Sequence, residues 1–134
     1  MPRARLMVST SRSREVVDIT RQVQQAVDEM GVEDGIACVS VEHCTCALYL
    51  NEYERGLIAD MVRLVEELVT RGDWQHDRID SNAGAHLAAS VLGSSVALPV
   101  TGGTLGLGTW QRLLMMELDG PRQRNVTVSV VADR

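Results

Sequence analysis

The chain has 134 residues and a formal charge of −5, with 18 acidic residues against 13 arginines and no lysine. That length suits a single domain over residues 1–134, with one core. The acidic balance argues against a nucleic-acid partner, because coating phosphates needs a basic stripe and these arginines are scattered among acids; a few of them could still hold a small anionic ligand. No apolar run approaches the roughly 20 residues that cross a bilayer, so no membrane partner is expected.

Residues Arg5 to Val17 read as an edge hairpin around a Ser/Arg turn. Ile19, Val23, Ala26, Val27 and Met30 then recur at helical spacing, with Asp18 or Thr20 as cap and Gly31 as stop. Two strands come next, about 35–41 and 45–50. Asn51 with Glu54 three residues on predicts a capping box for a second helix, whose stripe is Leu57, Ile58, Met61, Leu64, Val65 and Leu68. A polar connection from Gly72 leads to a short helix over 83–92, capped by Ser81 or Asn82 and stopped by Gly93. Strands recur at 95–100, 106–119 and 125–132. Gly102 to Thr109 lies between strands, so it lacks the strand-to-helix mechanics of a dinucleotide loop. Hairpins around two or three helices predict an α+β fold with a mainly antiparallel, sandwich-like core. With aromatics at 3% and no Phe, that core must be aliphatic, and some of its area is expected to be buried between subunits.

Cys38, Cys44 and Cys46 are odd in number and no apolar leader precedes them, which predicts a reduced, cytoplasmic protein. Alternation puts Cys44 and Cys46 on an apolar face with Leu48 and Leu50, as structural thiols. His43, His76 and His86 each stand at an element boundary. Three imidazoles with one open position would make a catalytic site for a divalent metal, zinc foremost, yet their spacing matches no local zinc motif. The alternative is direct anion binding, with His86 close to the free amides of a helix start.

The segment from Trp110 to Asp119 sets polar groups in an apolar strand. Alternation places Gln111, Leu113, Met115, Glu117 and Asp119 on one face, and the carboxylates there need partners that Arg122 and Arg124 can supply. An ordinary ion pair at a sheet edge explains this as well as chemistry does.

His43-Cys-Thr-Cys-Ala47 with Asn51-Glu52, Asn82-Ala-Gly-Ala-His-Leu87, Gly106-Leu-Gly-Thr-Trp-Gln111 and Glu117-Leu-Asp-Gly-Pro-Arg-Gln-Arg124 together resemble the YjbQ-like family, also described as secondary thiamine-phosphate synthases. The departure is His43-Cys-Thr-Cys46, where that family usually has His-Thr-Thr-Ala. The resemblance implies a homotrimer with a histidine-lined site near a subunit boundary. It also implies a weak synthase activity joining hydroxymethylpyrimidine pyrophosphate to thiazole phosphate. On that reading Glu117, Asp119 and Arg122 are catalytic, Asn51, Glu52, Asn82, Trp110, Gln111 and Arg124 bind substrate, and His43, His76 and His86 hold the metal. Competing readings are a metal- or small-ligand-binding trimer and a metal-dependent phosphohydrolase.

Overall fold

The computed structural model describes residues 1–70 and 72–133. In chain order, β1 is Arg3–Ser9, β2 Glu15–Asp18, α1 Thr20–Met30, β3 Gly35–Val41, β4 Cys46–Asn51, α2 Arg55–Val69, α3 Ala83–Leu92, β5 Ser95–Thr101, β6 Thr104–Leu105, β7 Arg112–Glu117 and β8 Gln123–Ala132. A short 3-10 turn at Gln75–Arg78 precedes α3. The strands form two antiparallel sheets, a five-stranded one in the order β1-β8-β3-β5-β6 and a three-stranded one in the order β2-β7-β4. The predicted α+β sandwich is the architecture observed.

The layers arise from which strand faces are apolar. Val39, Val41, Val126, Val128 and Val130 on the inner face of the larger sheet meet Cys46, Leu48, Leu113 and Met115 of the smaller one, with Ile19, Val23 and Val27 of α1 closing the same core. The opposite face of the smaller sheet, carrying Val16, Ala47, Leu114 and Met116, is covered by Val65 and Val69 of α2 and Ala85, Ala88 and Ala89 of α3. The small sheet is therefore buried on both sides, and no aromatic side chain is among the buried core residues described. The outer face of the larger sheet carries exposed Met7, Ile36 and Val131.

Helix ends match the sequence where a local rule sets them. Gly31 closes α1 in the left-handed conformation at φ 67°, as expected, whereas its N-cap is Ile19 rather than Asp18 or Thr20; Asp18 Oδ1 accepts from the Thr20 N–H at 3.0 Å just beside it. Other expectations are corrected. Residues 5–17 are not a hairpin, because β1 joins β8 and β2 joins β7 in the other sheet. Asn51 stays in β4, opposite Arg112. Glu54 is the cap of α2, since its own carboxylate reaches the Gly56 and Leu57 N–H groups. Leu64 and Leu68 are exposed, because the buried line of α2 runs through Val65 and Val69. At α3 Asn82 is the N-cap residue, as expected, but its side chain makes no capping bond; the Ala83 N–H goes to Asp77 Oδ1 at 2.9 Å, leaving the Asn82 side chain for another role. Residues 106–111 are a loop rather than the start of β7, folded on itself by a 2.8 Å bond from the Gly108 N–H to Gln111 Oε1. Cys44 lies outside β4 and is exposed, as is Cys38, whereas Cys46 is buried, so the shared apolar face does not form.

Candidate functional site

Glu117, the last residue of β7, lies in register with Glu15 of β2 and Cys46 of β4. Its side chain enters the space between the sheets and meets Arg124 of β8; the two side chains are 0% and 3% exposed. Arg124 Nε donates to Glu117 Oε1 at 2.9 Å, and its NH2 donates to Glu117 Oε2 and to Thr45 O and Oγ1 at 3.0 and 2.9 Å. Glu117 also accepts from Thr10 Oγ1 at 2.8 Å and from the Leu118 and Asp119 N–H groups, each at 3.0 Å. Burial alone would raise its pKa. The hydrogen bonds from Arg124, the Asp119 backbone and Thr10 outweigh that and hold the carboxyl below its ordinary value. This is an ion pair in the interior, not at a sheet edge, and Thr10, Thr45 and the Leu118 and Asp119 amides complete its bonding.

The turn after Glu117 is less closed. Asp119 Oδ2 accepts from Asn82 Nδ2 and from Arg122 NH2, both at 3.0 Å, and Arg122 Nε donates to the Asp119 carbonyl at 2.7 Å. This turn is clasped from the far end of the chain. The Thr10 N–H donates to Arg122 O, the Arg122 N–H donates to Thr10 Oγ1, and the Gly120 N–H donates to Ser13 O. Gly120 is required there, because a Cβ would stand 2.3 Å from the Arg12 carbonyl oxygen and 2.7 Å from Glu117 Cγ.

Asn82 brings α3 and the 3-10 turn to this place. Its carbonyl accepts the Ala85 and His86 N–H groups, and the His86 ring packs edge-on against His76 with centroids 4.7 Å apart. Two polar atoms here are buried without a protein partner: Asn82 Oδ1 and His76 Nε2. His43 lies near the inner arginine. Its Nε2 accepts from the Asn125 N–H at 2.9 Å, and burial, with the positive charge of Arg124, pushes its pKa down. The ring is thus neutral at pH 7 with its proton on Nδ1.

The predicted site residues divide between the two ends of β7. Asn82, Glu117, Asp119, Arg122 and Arg124 gather at the Glu117 end, with His43 beside the arginines and the His76–His86 pair behind Asn82. Trp110 and Gln111 stand beyond the Arg112 end, and Asn51 is paired with Arg112 there, with Glu52 next to it. At about 3.3 Å per residue the Arg112 and Glu117 ends lie about 17 Å apart, so one chain does not unite them. Gln111 instead lines a cleft of about 460 Å³ against α1. No group of three or more His, Cys, Asp or Glu among the described residues could hold a metal ion. Of the three histidines, His76 and His86 pack together, while His43 is tied to β8 through the bond from the Asn125 N–H to its Nε2. Thr10 and Asp77 had no signal in the sequence: each acts on a partner brought near only by the fold.

A two-sheet α+β chain with a closed acid–arginine pair at the end of its central strand, and an open Asp-Asn-Arg-His cluster beyond it, is the class this geometry defines. The model of the family described as UPF0047 protein YjbQ-like matches residues 4–133, and the chain belongs to that family. A UPF0047 protein of Archaeoglobus fulgidus is 48% identical over 127 residues, 94% of this chain and 98% of that protein. The YugU protein of Bacillus subtilis is 32% identical over 130 residues, 94% of this chain and 96% of its own length. A crystal structure from Sulfolobus solfataricus P2, described as a YbjQ-like protein of unknown function, superposes with a TM-score of 0.94 at 43% identity, covering 98% of this chain and 96% of that one. One from Aeropyrum pernix K1 gives 0.96 at 40% identity, covering 99% and 100%.

These relatives correct the expected activity. The family and its members are described only as UPF0047 or YjbQ-like, and the Sulfolobus protein as of unknown function, so membership brings no thiamine-phosphate synthase reaction with it. No helix among the described residues is long and apolar enough to cross a membrane.

Proposed function

We propose that the open cluster beyond β7 binds a small phosphorylated molecule that also carries a hydrogen-bond donor. The observation that supports this is Asn82 Oδ1, a buried acceptor with no partner beside a carboxylate held by Asn82 and Arg122. Leaving such an atom unpaired costs about 1–3 kcal/mol, which a bound amine or hydroxyl relieves. Asp119 Oδ1 offers that donor a second acceptor. Arg122 uses Nε and NH2 on Asp119, and its half-exposed side chain keeps NH1 for a phosphate. His43, donating through Nδ1, adds a neutral hydrogen-bond donor on the same side as the arginines.

The reading includes a homotrimer, supported by the exposed Met7, Ile36 and Val131 on the outer face of the larger sheet. It also includes a cytoplasmic setting, supported by three free cysteines.

Calorimetric titration with O-phosphoethanolamine, inorganic phosphate and ethanolamine tests the proposal. O-Phosphoethanolamine is expected to bind more tightly than either half. Arg122→Ala weakens both phosphates, and Asn82→Ala removes only the advantage of the amine. Equal affinity of wild type for phosphate and O-phosphoethanolamine, or no binding of either, refutes it.

A further inference from the structure

A second cavity lies on the other side of the Thr10–Arg14 clasp, between that turn and the first turns of α2. It measures about 490 Å³, a size that encloses a small organic molecule. Arg12, Arg14 and Arg55 line it, with Glu15 the acidic residue among its walls. That carboxylate is already occupied: Glu15 Oε1 accepts from the Ser11 N–H at 2.8 Å, and the Ser11 hydroxyl reaches both of its oxygens. Arg14 spends NH1 on Glu66 at 3.3 Å, while its Nε is buried with no partner. Arg12 and Arg55 are exposed and take part in no ion pair found among the described residues. Beneath this basic rim the floor is apolar, made by Val16, Ile58 and Val62, with the half-exposed ring of Tyr53 at one side.

In a chain of net charge −5, this cleft gathers three arginines over an apolar floor. Guanidinium groups held near one another repel unless an anion joins them, and the planar N–H fork matches a phosphate or carboxylate. Arg14, one of the lining residues, also carries a buried Nε with no protein partner. The apolar floor then selects for what the anion is attached to.

We infer that the cleft between the Arg12–Arg14 turn and α2 is a separate binding site for a small anion joined to an apolar body, of the aryl or short acyl phosphate class. It rests on none of the residues around Asp119. The clasp links the two places, because the segment that supplies Arg12 and Arg14 also supplies Thr10 and Ser13 to the Asp119–Arg122 turn.

Titration of the full chain with phenyl phosphate, inorganic phosphate and phenol reads the site. Phenyl phosphate is expected to bind more tightly than the other two. Arg12→Ala and Arg55→Ala should each lower its affinity about tenfold, the scale of one charge-assisted hydrogen bond. Both side chains are exposed, so these variants are expected to fold, which their thermal midpoints check. Arg122→Ala is expected to leave phenyl phosphate bound in this cleft, so failure here is separable from failure at the Asp119 cluster. Unchanged phenyl phosphate affinity in the Arg12→Ala/Arg55→Ala double variant overturns the proposal. So does a change of sedimentation coefficient in that variant without ligand, which would make the cleft a contact between copies.

Discussion

Replacing Glu117 by Gln keeps the shape of the side chain and removes one charge, which tests the interior ion pair directly. In wild type, Arg124 is nearly solvent-free, and its Nε and NH2 are satisfied by Glu117 and Thr45. The substitution strands a guanidinium that cannot shed its proton, so the penalty is that of an uncompensated buried charge, about 3–5 kcal/mol. Against a typical stability of about 5–15 kcal/mol this is a large share. The reverse change, Arg124→Met, strands a carboxylate that keeps three donors, Thr10 Oγ1 and the Leu118 and Asp119 N–H groups, and that can take up a proton. Its cost is expected to be smaller and to narrow with acidification. In wild type the folded pKa of Glu117 is depressed below 4.5, so the carboxylate contributes stability above that pH and loses it as pH falls through the folded value. Without the guanidinium, burial raises the pKa again. Urea unfolding followed by far-UV circular dichroism, at one chain concentration and at pH 7 and pH 5, should show a constant deficit for Glu117→Gln and a shrinking one for Arg124→Met. A Glu117→Gln variant within about 1 kcal/mol of wild type refutes the reasoning.

Gly120→Ala pushes a methyl group onto the Arg12 carbonyl and Glu117 Cγ; a lower thermal midpoint is expected, together with weaker O-phosphoethanolamine binding as the clasp opens. Burial raises the Cys46 thiol to about 11, so under native conditions a disulfide reagent should modify exposed Cys38 and Cys44 and leave Cys46 until unfolding; Cys44→Ala should cost less than about 0.5 kcal/mol and Cys46→Ala about 1 kcal/mol. Burial opposes ionisation of Asp18, but bonds from Thr20 and Arg112 hold its carboxyl below 3.8. Asp18→Asn is therefore expected to lose stability above that pH and little below the folded value, seen as a flatter acid limb in the unfolding midpoint. Sedimentation velocity is expected to give a trimer, and a 14.7 kDa species at micromolar concentration would remove that part of the proposal.

The sequence alone determined what depends on near neighbours: α1 and its glycine stop, the span of α3, the aliphatic core, and the Glu117–Arg124 segment as the place where polar groups need partners. Each is set by spacing within a few turns or strand positions. Only the tertiary structure decided how the strands are shared between sheets. Because β7 is the middle strand of a sheet buried on both sides, its run from Leu113 to Glu117 is buried at every position, and alternation carries no information about which face meets the core. Asn82 holds the N-cap of α3, but the side-chain bond to the helix start comes from Asp77, and the Asn82 side chain reaches Asp119 37 residues away in sequence. Thr10 reaches Glu117 across 107 residues. The same straight strand that joins Glu117 to Arg112 keeps Trp110 and Gln111 away from Asp119, since an extended backbone separates its two ends however close they are in sequence.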